Sequence, residues 1–258
     1  MPIVHFKGRV LPSAVQVTAR DLPQVHWEDA NTGQVMDITT RIQASVVDLE
    51  FDVNHFDEND LSPLLLRAWD LARAAVDLCC YQVGWGLIVI IDTFVKADGT
   101  EATLLAKMET LAAYCTALQP DPQNPGVNNF DVCYRLLVTE PPLFMALNDL
   151  IVSITLPHHA SVNCARAIEG LRTLMVPAGV SRKQGWSLLR ANLNIEKNYV
   201  EYVTDVSTGP RHGDRTWIPG TTVNEVVNRS WIIMNRFLEF RKRGNQALPL
   251  ADFPLLTN

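Results

Sequence analysis

The segment TGPRHGDR, residues 208–215, sets His212 between Arg211 and Arg215, with glycines at 209 and 213. An imidazole exchanges a proton near neutral pH. A guanidinium fork grips a phosphate through two parallel hydrogen bonds. Together these groups suit phosphodiester chemistry or phosphate binding, with His212 as general acid/base and Arg211 and Arg215 as phosphate ligands. Glu169 and Asp205 are the carboxylates that would orient them. The same residues also suit a plain turn. Gly209-Pro210 ends a helix, and Arg211 then clasps a carboxylate, with Asp205, Asp214 or Glu169 as the choices.

Other chemistry is more thinly signalled. His158 and His159 follow Pro157 at the start of a helical stretch. Neither HExxH nor a His-x-x-x-His pair occurs, so a metal site around them needs partners from elsewhere. A hydrolase with His158, His159 and His212 around a metal is therefore a third and weaker reading, and no metal is expected. Cys164 as a nucleophile needs a histidine brought to it by the fold. The other four cysteines, Cys79, Cys80, Cys115 and Cys133, form no CxxC pair and read as small buried hydrophobes. GxSxG, GxGxxG and GxxxxGK[ST] are all absent, so no nucleotide cofactor is expected.

The elements that must position this turn are of two kinds. Up to about residue 118 the chain reads as α+β. In VVDLEFDVN, 46–54, apolar and acidic residues alternate, the mark of a strand with one buried face. Ile42, Ala44 and Val46 have the opposite parity, which predicts a bulge or bend near 46–47. Shorter strands are expected at 3–10, 14–19 and 23–28, with NTG at 31–33 as a turn. Ser62-Pro63 opens a helix that VGWG, 83–86, closes. GLIVIIDTFVK reads as a strand buried on both faces. Thr100 then caps a helix running to Leu118.

QPDPQNPG, 119–126, has three prolines and no apolar side chain, so 119–129 is the expected linker. Residues 130–258 read as a helical bundle, with helices near 141–155, 157–175, 181–206 and 220–243. In the last of these Arg229, Arg236 and Arg243 recur every seven residues. That spacing predicts a basic stripe, either tracking a polyanion or simply solvated. Trp231, Met234, Phe237 and Leu238 form an opposing core stripe. Charge differs between the two halves: nine Lys/Arg against twenty Asp/Glu in 1–150, and thirteen against eight in 151–258. The longest apolar run, GLIVII, is too short to span a bilayer, and no basic-then-apolar leader is visible. No membrane association and a cytoplasmic location are the expectations.

The order of the second half resembles the HEPN (higher eukaryotes and prokaryotes nucleotide-binding) superfamily. The residues that carry the resemblance are HHASVNCARAIEGLRTL, then QGWSLLRANLNIEKNYVEYVTDVS, then RHG, then a long final helix, over roughly 140–245. The resemblance implies a dimeric helical domain behind an unrelated N-terminal module. It also implies metal-independent RNA cleavage by an arginine and a histidine four to six residues apart, after an early acidic residue that here is Glu169. His212 matches the histidine. Asp205, Val206 and Ser207 stand where the arginine belongs, so either Arg211 or Arg215 substitutes or the site is degenerate.

Two function classes follow. One is a cytosolic prokaryotic RNA-acting protein of the toxin or defence type. The other is a non-catalytic homodimeric interaction protein, whose acidic N-terminal module meets a protein partner and whose Arg211 and His212 merely close a turn.

Overall fold

The computed structural model describes residues 2–29, 33–57, 61–120, 125–176, 181–214 and 218–258. Asn31 and Thr32 of the expected NTG turn, residues 121–124 of the proline-rich loop, and Arg215 lie outside them. The chain divides into two units, Met1–Leu105 and Ala106–Asn258, an α+β arrangement.

The first unit is an antiparallel six-stranded sheet. Its strands are β1 (Ile3–Leu11), β2 (Val25–Glu28), β3 (Val35–Gln43), β4 (Val46–Val53), β5 (Ile88–Val95) and β6 (Glu101–Thr103), in the order β2-β3-β4-β1-β5-β6. Val47, Leu49, Phe51 and Val53 of β4 are buried, as their alternation requires, and Phe6 packs between Phe51 and Phe94 with ring centroids 5.2 Å apart in both pairs. Helix α1 (Leu61–Val83) adds Leu64, Ala68, Ala72 and Val76 to this core. Gly84, at φ +72°, ends the helix where a side chain would be strained. At Gly8, β1 shifts register against β5, and a Cβ there would stand 2.0 Å from the Ile90 carbonyl oxygen. Only glycine permits that approach.

Several expectations need correction. The bulge or bend near residue 46 is a full chain reversal, a two-residue hairpin at 44–45 with Gln43 opposite Val46. Ala44 and Ser45 both have positive φ, +48° and +66°, in a turn that usually asks for Asn-Gly. Segment 15–18 holds them there. Ser45 donates its hydroxyl to the Val15 carbonyl and accepts from the Val17 N–H, while the Ala44 N–H donates to the Thr18 hydroxyl. Accordingly 14–19 is a strap rather than a strand, apart from one bridge at Ala19. Strand β5 is not buried on both faces, since Ile88 is exposed and most of the strand is half-buried. The helix expected over 100–118 is absent. Residues 101–103 pair with β5, and 109–114 and 116–118 form 3₁₀ turns. Leu111 and Ala117 of those turns lie in the helical core, so the boundary falls at residue 105 rather than 118.

The second unit comprises α2 (Asn129–Thr139), α3 (Pro141–Thr155), α4 (Ala160–Leu174), α5 (Arg182–Leu193), α6 (Lys197–Val206), α7 (Thr208–Arg211) and α8 (Gly220–Lys242). Asn194, in the left-handed conformation, divides the expected 181–206 helix into α5 and α6. Helix α8 packs against α2, α3, α4, α5 and α6 and is buried on nearly every side from Val226 to Phe240.

That burial overturns the basic stripe. Arg236 is only 6% exposed and donates to the carbonyls of Leu193, Asn194 and Pro254 at 2.8, 2.9 and 2.6 Å. The helix break at Asn194 frees such carbonyls, and a buried carbonyl must be satisfied. Arg229 lies over the rings of Tyr199 and Tyr202 and binds Glu225 at 2.6 Å. Counted from the structural boundary, the helical unit holds fifteen Lys/Arg against thirteen Asp/Glu, so most of the earlier basic excess came from where the chain was divided.

Two outcomes follow. Arg236→Ala strands three carbonyls and is expected to cost about 2–4 kcal/mol in urea unfolding. Burial raises Tyr199 from 10.0 to about 12, so its folded-state pKa lies above the unfolded one. The stability it contributes is complete below pH 10 and is lost as pH rises toward 12. Urea midpoints measured across that window should therefore fall less steeply in Tyr199→Phe than in the parent.

Candidate functional site

The 208–215 turn is built as a helix end. Ser207, fully buried, turns its hydroxyl to the Thr204 carbonyl at 2.6 Å and lets α6 pass into α7. The Asp214 N–H reaches the Gly209 carbonyl at 3.0 Å and the Gly213 N–H reaches that of Pro210 at 3.3 Å. These are the two hydrogen bonds of a Schellman cap, with Gly213 at φ +89° as its left-handed residue. Arg211 then occupies the last helical position and His212 the cap, where its N–H donates to the Gly209 carbonyl at 3.0 Å.

Glu169 comes from α4, most of whose surface faces the core. It sits at the edge of the buried face and accepts from Arg211 Nη1 at 3.0 Å, with both side chains about a quarter exposed (25% and 26%). The carboxylate clasp read from the sequence is therefore present, and its acid is Glu169. Of the candidate site residues the fold unites Glu169 and Arg211, with His212 beside them in the chain and exposed. Asp205 is exposed on α6, and its carboxylate makes no hydrogen bond or ion pair among the described residues. Arg215 lies outside those residues.

The weaker candidates take ordinary places. His158 and His159 are exposed in a 3₁₀ turn over Pro157–His159, and among the described residues no group of three or more His, Cys, Asp or Glu is placed to hold a metal ion. Cys164 is fully buried, and burial raises its thiol to about 11, against weaker lowering by hydrogen bonds with Ser153 and Ser230. A thiol held that high is protonated at neutral pH and is a poor nucleophile.

A feature the sequence reading missed lies elsewhere in the helical unit. Helices α2, α3 and α8 enclose a cavity of about 250 Å³, walled by Cys133, Leu137, Leu147, Trp231, Met234 and Leu238 among others. Its one amide side chain, Asn235, is already engaged: it accepts from the Ala117 N–H and donates to the Thr116 hydroxyl. Phe130, Tyr134 and Ile151 stand at the mouth and are largely exposed. The signal was present in NFDVCYRLLVT, where Phe130, Cys133, Tyr134 and Leu137 have helical spacing. No single helix among the described residues is long and apolar enough to cross a membrane. Only α2 and α3 taken together reach that apolarity, and they are bent by 110°.

Residues 4–105 match the family model described as Domain of unknown function (DUF8168) N-terminal domain. Residues 131–242 match the one described as its C-terminal domain. The first match ends at the boundary between the two units. Neither a curated protein nor a solved structure is found to match the chain.

The clasp is measurable. Arg211→Ala should lower unfolding stability by about 1–2 kcal/mol, and a double-mutant cycle with Glu169→Ala should return a coupling of about 1 kcal/mol. Additive effects would mean that the pair contributes nothing.

Proposed function

We propose, for a chain that belongs to the DUF8168 family and carries both of its domains in order, a non-catalytic role as an interaction protein of the cytoplasm. The observation that carries this reading is the Arg211–Glu169 ion pair at a Schellman-capped helix end. An arginine that spends its charge on a neighbouring carboxylate, at 3.0 Å, stabilises a turn and has less left for a phosphate. The electrostatic case for RNA has also thinned. Arg229 and Arg236 face inward, and Arg241 pairs with Glu140. The sheet unit carries seven Lys/Arg against fifteen Asp/Glu and is the face we assign to a basic protein partner.

A second reading keeps its own support. His212 is exposed beside an arginine held by Glu169, the acidic residue that the HEPN resemblance singles out. In that reading His212 moves protons at the 2′-hydroxyl of RNA, and Arg211 leaves Glu169 to meet the phosphate.

Incubation of the purified protein with RNA in the presence of a chelator separates the two. We expect no cleavage above that of His212→Ala. Cleavage that disappears in His212→Ala, with thermal stability unchanged, would replace the interaction reading with the ribonuclease one.

A further inference from the structure

We infer that the exposed face of α2 and α3 is a self-association surface on which a second copy of this chain seats the Phe144 ring in the cavity between α2, α3 and α8. This rests on the interaction-protein reading and adds to its basic protein partner a second copy of the chain, on the helical unit.

The surface is out of keeping with a face left in water. Phe130, Tyr134, Val138, Phe144, Met145 and Ile151 are each between 47% and 61% exposed. Phe130, Tyr134 and Ile151 share the mouth of one cavity. Val138 lies one turn from Tyr134, and Phe144 lies seven residues from Ile151 on the same stripe of α3. Met145 is off that stripe, so the other five side chains are one patch. With roughly 200 Å² for an aromatic side chain and roughly 100 Å² for an aliphatic one, the patch leaves about 450 Å² of apolar surface open. A stable dimer buries about 800 Å² per partner, about 65% of it apolar, or about 520 Å². The areas agree.

Shape supports a copy of the same chain. A two-fold interface needs one patch to offer both a projection and a recess. Here the cavity of about 250 Å³ is the recess, and Phe144, about 10 Å along α3 from the mouth residue Ile151, is the projection. An apolar cavity of about 150 Å³ already holds a benzene ring. Asn235, the cavity's amide, is held in place by one bond through its oxygen and one through its nitrogen, and the rest of the wall is almost wholly apolar.

Charge does not oppose the pairing. Asp149 is the sole ionisable side chain in the fifteen residues of α3, and it pairs with Arg166. A lipid surface fits less well, because peripheral helices draw on Lys and Arg around an apolar face. Across α2 and α3 there is Arg135 alone, against Asp131 and Asp149.

Sedimentation of the full chain tests this, alongside Phe144→Asp and Ile151→Asp, whose folding is checked by circular dichroism and thermal melting. Both positions are exposed, so the fold should survive the substitution. The parent is expected at about twice its 28.8 kDa chain mass, with the dissociation constant raised about 30-fold or more in each variant, as for a central anchor. A parent that stays monomeric up to about 100 μM overturns the inference. So does a dimer indifferent to both substitutions, although the interaction reading then stands on another surface. Sedimentation of a monomeric parent with phosphatidylcholine vesicles, lost in Phe144→Asp, overturns it in favour of lipid. His212-dependent RNA cleavage tests the underlying reading separately and leaves the dimer measurement intact.

Discussion

The helical unit depends on a helix that carries charge into its own core. Helix α8 is enclosed by five others, yet its buried stretch includes Asn235, Arg236 and Glu239. Each polar group there must find a partner or the burial becomes unfavourable. Arg236 finds three carbonyls, at the α5–α6 break and in the C-terminal tail. Asn235 reaches the 3₁₀ turn at Thr116 and Ala117, and Lys242 donates to the Ala117 carbonyl. So the residues that look basic in sequence tie the tail, the helix break and the 106–118 segment to one central rod. This is also why 106–118, which contains no α-helix, belongs to the helical unit.

The 208–215 turn follows the same economy on a smaller scale. Its glycines are explained by backbone geometry: Gly213 supplies the left-handed cap, and Gly209 lets the Asp214 side chain approach to where a Cβ would lie 3.1 Å from its carboxylate oxygen. Arg211 leaves the helix end pointed at α4, and Glu169 receives it. For Gly213 and Arg211, in a motif also able to do chemistry, the fold supplies a structural reason as well. The cavity and the apolar face of α2 and α3 have no such internal explanation. Their rings are held outward by two helices meeting at 110°, a geometry that leaves them without a partner in the described residues of their own unit.

Much of the architecture was legible wherever one physical pattern dominated. The alternation in 46–54 marked β4 and its buried face, because period two against a core has one solution. Helices α1, α3 and α8 followed from their apolar spacing and from proline or glycine at their ends. What failed was local pattern overruled from a distance. Ala44-Ser45 has no hairpin signature, because its strain is offset by hydrogen bonds to 15–18, some thirty residues away in the chain. Residues 101–103 joined a sheet edge already made by β5, which outweighed the helical spacing of Leu104, Met108, Leu111 and Cys115.

The sequence by itself determined that this chain is α+β and which faces of β4, α1, α3 and α8 meet a core, and it offered Arg211 three carboxylates to clasp. It also placed charge on α8 at seven-residue spacing, but spacing reports only that residues share a face. Whether that face meets water or protein depends on what packs there, and five surrounding helices put Arg229 and Arg236 inside. Glu169 lies forty-two residues before Arg211, and it was the docking of α7 on α4 that selected it over Asp205 and Asp214. Tertiary structure alone decided the hairpin, the boundary at 105 and the cavity, because each arises from groups distant in the chain whose proximity no local pattern records.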